Sequence, residues 1–543
     1  MNYKLFFSNK NPKIILGFIF LIIFIFRLPT LLIDFYDVDE LIYSACANEI
    51  VAGGTPYVDY VEQRPILTHY FYAFVYLIFG KNNLYAIHFV TIILILLSSF
   101  YAYKTILIFT KEKSSAYFSA FAYGILITAF DESFMATNSE VIFNLPISIA
   151  CYFFVKYYFT DNKRYFLLIL CALSITMAFM IKQQGGVILG VITIYVVFGY
   201  FFTKKRFSLK DNLYIPFHLL VWFLLFLFVI HFFMYLGGFL TSAIEWTWLF
   251  PFVYIKSSTA PIIDILIRYI NKQLPLLIPQ IIFWLFLVGF IWKLFKFDKE
   301  LIDREKEKSY FLLILFLFSY LTIFLGGIRL YHHYFVQYLL PLSLIAGFQF
   351  FRWRKVISKR VYLVIFNGLI IFPIILFTAW HYHDIYKKYY SENPLSKRNL
   401  NYLTERPEFK EITHWIREDN SPNVNDKIFV WGECPQIYYF ANRRLGGRFI
   451  MFNFIHLDNS FANKQNERAK RKLNKYLTVL LKDLENKKPR YIIDASLSSL
   501  YESNRFPIWK YPLIYNYLLK HYELKNISFK RTKMKIWEIK LKK

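Results

Sequence analysis

The sequence predicts an α-helical polytopic membrane protein carrying a C-terminal extracytoplasmic α/β domain, and three observations support this. The 543 residues are 57% hydrophobic and 21% aromatic, with positive mean hydropathy, more apolar than a soluble domain of this size needs. Apolar runs of about 20 residues, the length that crosses a bilayer, recur through the first two thirds of the chain. After His381 the pattern changes: apolar runs shorten to strand length, while charge and Asn rise.

The first run, Ile14 to Ile33, is apolar except for Arg27. It is too long, and lacks the small-residue cleavage site, to be a removed signal peptide. Further runs lie near 84–109, 115–130, 140–159, 165–181, 185–203, 213–236, 274–295, 309–327, 333–350 and 361–379, roughly eleven in all by the length criterion. The domains expected are 1–380 in the membrane, with a first extracytoplasmic loop over 34–83, and 381–543 outside it. No internal repeat suggests a transporter.

Loop charge sets the orientation. Basic clusters at Lys4/Lys10/Lys13, Lys111/Lys113, Lys163/Arg164, Lys204 to Arg206, Lys293 to Lys308 and Arg352 to Arg360 alternate with loops that hold the acids. The positive-inside rule makes the basic loops cytoplasmic. The N-terminus is then inside, and an odd number of crossings puts everything after Trp380 outside. The net charge of +27 therefore needs no nucleic-acid partner. Part of it orients the chain, and much of the rest sits in the C-terminal segment, where it meets anionic lipid headgroups or an anionic acceptor. Cys46 and Cys434 both face outside, but nothing in the spacing of the four cysteines demands a disulfide.

The outward loops hold the chemistry. Asp34, Asp37, Asp39 and Glu40 follow the first crossing within seven positions, and acids beside a membrane are costly unless solvated or employed. Glu40 to Val51 reads as a short amphipathic helix with Asp39 at its N-terminal end, where a carboxylate is favoured. The plain alternative is that Asp37 and Asp39 only cap this helix. A turn at Gly53-Gly54-Thr55-Pro56 follows, then Tyr57 to Asp59 and Glu62-Gln63-Arg64-Pro65. Pro65 to Phe79 reads as an aromatic helix lying in the interface.

Later loops add Asp131-Glu132, Asn138-Ser139-Glu140, Lys182-Gln183-Gln184 and Arg329 to His333. The acids of the second loop read equally as solvated punctuation. Lys182 reads as a snorkelling headgroup contact, although amides such as Gln183 need partners near apolar surroundings. Arg suits a phosphate through its bidentate fork. The adjacent His332 and His333 lack an obvious third metal ligand. Carboxylates and scattered cations on one side of a bundle suit chemistry on a lipid-linked phosphate. The headgroup phosphate meets Arg64, Lys182 or Arg329, and a carboxylate acts on what the phosphate carries. No Walker pattern or dinucleotide fingerprint is present.

These residues resemble a known family. Asp39-Glu40-x-x-Tyr43, Ala47, Gly53-Gly54-Thr55-Pro56-Tyr57-x-Asp59 and Arg64-Pro65 resemble the first extracytoplasmic loop of the polyprenyl-phosphate-dependent membrane glycosyltransferases of the GT-C fold. That group includes the protein O-mannosyltransferases and the lipid A aminoarabinose transferases. Asn138-Ser139-Glu140, Lys182-Gln183-Gln184 and His333-Tyr334-Phe335 to Pro341 are similar to later loops of bacterial members. The resemblance covers roughly residues 10 to 380, with no single motif specific to the family.

The resemblance implies that Asp39 is the catalytic base and sets Gln63-Arg64 at the donor phosphate. The adjacent Glu40 is a second catalytic candidate, and the outward loops complete a candidate substrate- and phosphate-binding set of Arg64, Gln63, Tyr43, Asp59, Asn138, Glu140, Lys182, Gln183, Arg329, His332 and His333. Gln63-Arg64 stands where the aminoarabinose transferases have Glu-Lys, and a single Pro65 follows where many members have two. The cation is kept and the acid is lost, which leaves the donor sugar unassigned. The implied reaction moves a sugar from polyprenyl phosphate to a hydroxyl of a glycan, lipid A or a protein on the outer face of a bacterial inner membrane. It needs no cofactor, with a divalent metal on Asp37 and Asp39 as the open alternative. A transporter or flippase of lipid-linked intermediates is the competing reading. It explains the helices but neither the acidic first loop nor the outer domain. A non-catalytic scaffold is the third.

Overall fold

The computed structural model describes residues 12–128, 132–202, 209–252, 261–295, 303–326, 329–356, 407–418, 427–456, 467–496, 506–525 and 534–540, with isolated positions between 368 and 383 and at 527. Among the described residues nine α-helices come first: α1 (Pro12–Arg27), α2 (Val38–Val51), α3 (Ile66–Phe79), α4 (Leu84–Thr110), α5 (Lys113–Leu126), α6 (Ser139–Phe159), α7 (Phe166–Ile181), α8 (Val187–Phe202) and α9 (Leu209–Leu236). Long helices at Ile262–Phe295, Asp303–Leu321 and Leu339–Val356 follow.

The chain is an integral membrane protein. Among the described residues six helical segments are long and apolar enough to cross: Lys13–Leu31, Leu84–Thr110, Ser139–Phe159, Leu213–Leu236, Glu305–Gly326 and His332–Val356. Ile262–Leu277 with Gln280–Phe295, bent by 101°, makes a seventh if it is one span. The sequence shows roughly eleven apolar runs, and the difference lies in length. α5 and α7 have 14 and 16 residues. At 1.5 Å per residue they reach roughly 21–24 Å, short of the ~30 Å hydrocarbon core. The run expected at 361–379 falls almost entirely outside the described residues.

The chain divides into two compact units. One comprises 1–33, 88–230 and 260–392; the other comprises 34–87, 231–259 and 393–543. Residues 34–87 thus fold with the C-terminal segment rather than with the bundle that precedes and follows them in sequence. In the bundle unit, Gly347 lets the 339–356 helix approach α5. A Cβ there would lie 2.6 Å from Ser119 Cβ and 3.0 Å from the Ser115 carbonyl. Arg27, 1% exposed, turns inward and donates from its guanidinium to the carbonyls of Phe134 (2.8 Å) and Met135 (3.1 Å). It thereby holds the segment leading to α6.

In the second unit a five-stranded sheet has the order β2-β1-β3-β5-β4, with β1 Lys427–Trp431, β2 Arg444–Leu445, β3 Tyr491–Asp494, β4 Tyr522–Leu524 and β5 Lys535–Ile539. β1 runs parallel to β2 and β3, whereas β5 is antiparallel to β3 and β4. The C-terminal sequence itself reads as strands near 427–432, 490–494, 523–529 and 533–539 and helices at 408–420, 466–486 and 512–522; each has a counterpart in the structure, the third strand being described only over Tyr522–Leu524. β2 was not expected, and at two residues it is too short to show a period. All four cysteines are buried, and none forms a disulfide.

The first loop is fastened to this sheet by charge. Glu49 near the end of α2 accepts from Arg444 Nη2 and from the Leu445 backbone N–H, each at 2.9 Å. Val61 forms a parallel bridge with Phe449, and Lys487 pairs with Asp59 at 3.2 Å. Gly54 sits under the Glu49 carbonyl, where a Cβ would lie at 2.9 Å, so the turn closes tightly on the end of α2.

Candidate active site

Asp37, Asp39 and Glu40 lie within one helical turn and do three different jobs. Asp37 is the N-cap of α2, its Oδ1 accepting from the Asp39 N–H at 3.1 Å. Glu40 completes the capping box, accepting from the Asp37 N–H at 3.3 Å and from the Tyr36 N–H at 2.7 Å, the reciprocal arrangement that satisfies two orphan donors. The plain reading of Asp37 therefore holds, and Glu40, fully buried, anchors the helix start. Asp39, between them in the first turn, turns its carboxylate away from the cap. It keeps 19% of its side chain exposed.

Asp39 Oδ2 accepts from Arg64 Nη2 at 2.7 Å and from the Tyr43 hydroxyl at 3.3 Å. Tyr43 stands four residues on, one helical turn along the same face. Arg64 is held from several sides. Its Nη1 donates to Glu62 Oε1 at 3.0 Å and its backbone N–H to Glu62 Oε2 at 2.5 Å. The Tyr57 hydroxyl donates to its carbonyl at 2.8 Å, and Tyr57 itself adopts φ +60°, an uncommon backbone for a bulky residue.

Behind Glu62 stands His69, wholly buried, with Nε2 3.2 Å from Glu62 Oε2. Its Nδ1 lies 3.1 Å from the Tyr60 hydroxyl. Burial, with the Glu62 charge adding to it, pushes the Tyr57 and Tyr60 phenols well above their usual range, so both remain donors. The His69 ring thus bridges the Tyr60 hydroxyl and the Glu62 carboxylate. Burial alone pushes the Glu62 carboxyl up, but Arg64 and then His69 outweigh it and hold it at about 2.

Sequence reasoning passed over Glu62 and His69, because attention fell on Gln63, which is only half-buried. The signal was present. The residue before a proline is pushed toward extended backbone, and in extended chain residues i and i+2 share a face, so Glu62 and Arg64 before Pro65 are paired by spacing. Asp59 belongs elsewhere: it accepts from the Thr55 N–H at 2.8 Å and pairs with Lys487. Burial raises its carboxyl, yet the Thr55 N–H and Lys487 outweigh this and bring it below the usual range.

The bundle unit carries a second cluster. Glu140, in the first turn of α6, is fully buried and forms an ion pair with Lys182 at the end of α7. It is not solvated punctuation, nor is Lys182 snorkelling: the ammonium is buried and lies 4.7 Å from the centre of the Tyr334 ring. His333 packs edge-on to Tyr334 at 4.8 Å and stacks on Tyr331 at 5.7 Å. Gln184 donates to the Thr322 carbonyl at 3.4 Å, and Thr322 donates to Gln337 Oε1 at 2.6 Å. Asn138 is the buried N-cap of α6. Gln183, Arg329 and His332 are half-buried near this cluster in sequence, and Asp131 lies outside the described residues. Among the described residues no group of three or more His, Cys, Asp and Glu side chains is placed to hold a metal.

The dolichyl-phosphate-mannose-protein mannosyltransferase family matches residues 63–235. No curated protein matches the chain by sequence. Among solved structures, the oligosaccharyltransferase AglB from Archaeoglobus fulgidus, in complex with an inhibitory peptide and a dolichol-phosphate, is similar at 12% identity and TM-score 0.56, covering 97% of this chain and 74% of that one. ArnT from Cupriavidus metallidurans bound to undecaprenyl phosphate is similar at 12% identity and TM-score 0.57, covering 96% and 97%. At this identity the likenesses show the fold, which is the GT-C fold.

Proposed function

We propose that the chain is an inverting transferase that moves a sugar from a polyprenyl-phosphate donor to an acceptor hydroxyl of a cell-envelope glycan, lipid A or a protein. It works on the outer face of a bacterial cytoplasmic membrane, with its N-terminus inside. The observation that carries this reading is the Asp39–Arg64 pair. It joins a partly exposed carboxylate to a guanidinium at 2.7 Å, on a helix start fixed by a complete capping box.

Asp39 accepts the proton of the acceptor hydroxyl as that oxygen attacks the anomeric carbon. The bond from the anomeric carbon to the phosphate oxygen breaks on the opposite face, and polyprenyl phosphate leaves with the electron pair. One displacement inverts the configuration. Such a base contributes roughly 10²–10⁴-fold. Arg64, with donors in a fixed fork, holds the departing phosphate, and charge stabilisation of the leaving group adds to the rate. Tyr43 orients Asp39. No metal is used in this scheme. The ArnT and AglB neighbours are described with undecaprenyl phosphate and dolichol-phosphate respectively, which supports a lipid phosphate as donor.

The test is a panel of polyprenyl-phosphate sugars offered to the purified protein with an envelope extract as acceptor. Release of polyprenyl phosphate from one donor, with inverted linkage in the product, is expected. Translocation of a lipid-linked intermediate across vesicles without release would favour the transporter reading instead.

A further inference from the structure

Arg64 stands between two carboxylates, Asp39 at 2.7 Å on Nη2 and Glu62 at 3.0 Å on Nη1. Only one of them is open to a substrate. Glu62 is 1% exposed, enclosed by the loop and α3, and accepts from Arg64 and His69 together. It touches no reacting atom. Its position nevertheless has a consequence for the reaction, because a lone guanidinium at 2.7 Å would favour the ionised form of Asp39 and lower its affinity for a proton. A second carboxylate on the same guanidinium cancels part of that charge.

We infer that Glu62 is a positioning residue that divides the charge of Arg64, so that Asp39 remains basic enough to take the acceptor's proton and Arg64 holds the donor phosphate without retaining the product. His69 keeps Glu62 in place from the side away from Arg64, and Tyr60 in turn holds His69. The inference rests on Asp39 as the base. The groups facing Asp39 are Arg64, Tyr43 and, more remotely, Tyr72, with Asp37 and Glu40 on its own turn. Those facing Glu62 are Arg64, His69, Tyr57, Tyr60 and Cys46. His69 is retained in the decisive variant.

The experiment compares wild type and Glu62→Gln in the full-length protein through the pH dependence of transfer and the affinity for polyprenyl phosphate alone. With Glu62 neutral, Asp39 feels the whole guanidinium. The acid limb of the pH profile moves down by about one unit, kcat falls about tenfold because the base is weaker, and polyprenyl phosphate binds several-fold tighter, by roughly the factor that one shared charge-assisted contact contributes. A purely structural role predicts weaker binding with the acid limb unmoved, and that result overturns the inference. Should Glu62→Gln not be recovered folded, E62M/H69L removes the buried polar pair together, an exchange buried ion pairs often tolerate, and the same two readouts decide. Asp39→Asn run alongside separates the two ideas. If it retains full transfer, the base assignment itself fails. If it loses transfer while Glu62→Gln leaves the limb in place, only the inference about Glu62 fails.

Discussion

Glu49 and Arg444 lie 395 residues apart in sequence and meet at 2.9 Å, Glu49 being 1% and Arg444 27% exposed. The contact joins α2, whose first turn holds Asp39, to β2 of the C-terminal sheet. It makes that sheet a foundation for the first loop. Glu49→Gln removes the charge from a carboxylate that also accepts the Leu445 N–H. The expected loss is about 2 kcal/mol, the scale of charge-assisted hydrogen bonds, read as a fall of several degrees in the melting temperature of the detergent-solubilised protein. Transfer activity falls with it, because α2 carries the base. An unchanged melting temperature would remove the foundation role.

Arg64→Gln leaves Asp39 and Glu62 without their shared cation. Donor KM is expected to rise roughly 10- to 100-fold, the range of one or two contacts to a charged group. Arg64→Lys, which keeps the charge and loses the fork, recovers only part of it. Steady-state kinetics at saturating acceptor measure both. An unchanged KM in Arg64→Gln would move phosphate binding to another cation.

The acid stability of the protein carries a signature of Glu62. Its folded-state value of about 2 lies below the ordinary glutamate value of about 4.3. A depressed carboxyl stabilises fully above the unfolded value and loses that contribution as pH falls toward the folded one. Wild type should therefore lose melting temperature between about pH 4.3 and pH 2 more steeply than Glu62→Gln. Parallel curves for the two proteins over that interval would contradict the ion-pair assignment.

Lys182 and Glu140 pair while buried, so breaking the pair from one side leaves an uncompensated charge. Lys182→Met alone is expected to destabilise more than the double change E140Q/K182M, since a stranded buried charge costs about 3–5 kcal/mol while removal of both partners is often tolerated. A double-mutant cycle on thermal stability gives the coupling. Additive losses would show that the two side chains act independently.

The readable parts of the molecule were local ones. α2, α3 and most of the C-terminal strands announce themselves by period, caps and turn residues, and Asp39, Tyr43 and Arg64 stood out as chemistry-bearing groups. Partnerships across sequence distance did not. Glu140 and Lys182 were each visible, yet nothing in the sequence joins positions 42 apart. Asp59 carried a family motif but serves Lys487, a partner 428 residues away. Nothing local marks Glu49, because the strand that supplies its partners, β2, is only two residues long. Hydropathy likewise marks apolar runs and says little about whether helices of 14 to 16 residues cross or stop partway.

The central claim is that Asp39 is the base in transfer from a lipid phosphate. The most direct measurement is release of polyprenyl phosphate by wild type and by Asp39→Asn, with donor binding measured on the same preparations. The account predicts release by wild type, a drop of at least about 100-fold in the variant, and donor binding that is retained. Equal release by both proteins would contradict it.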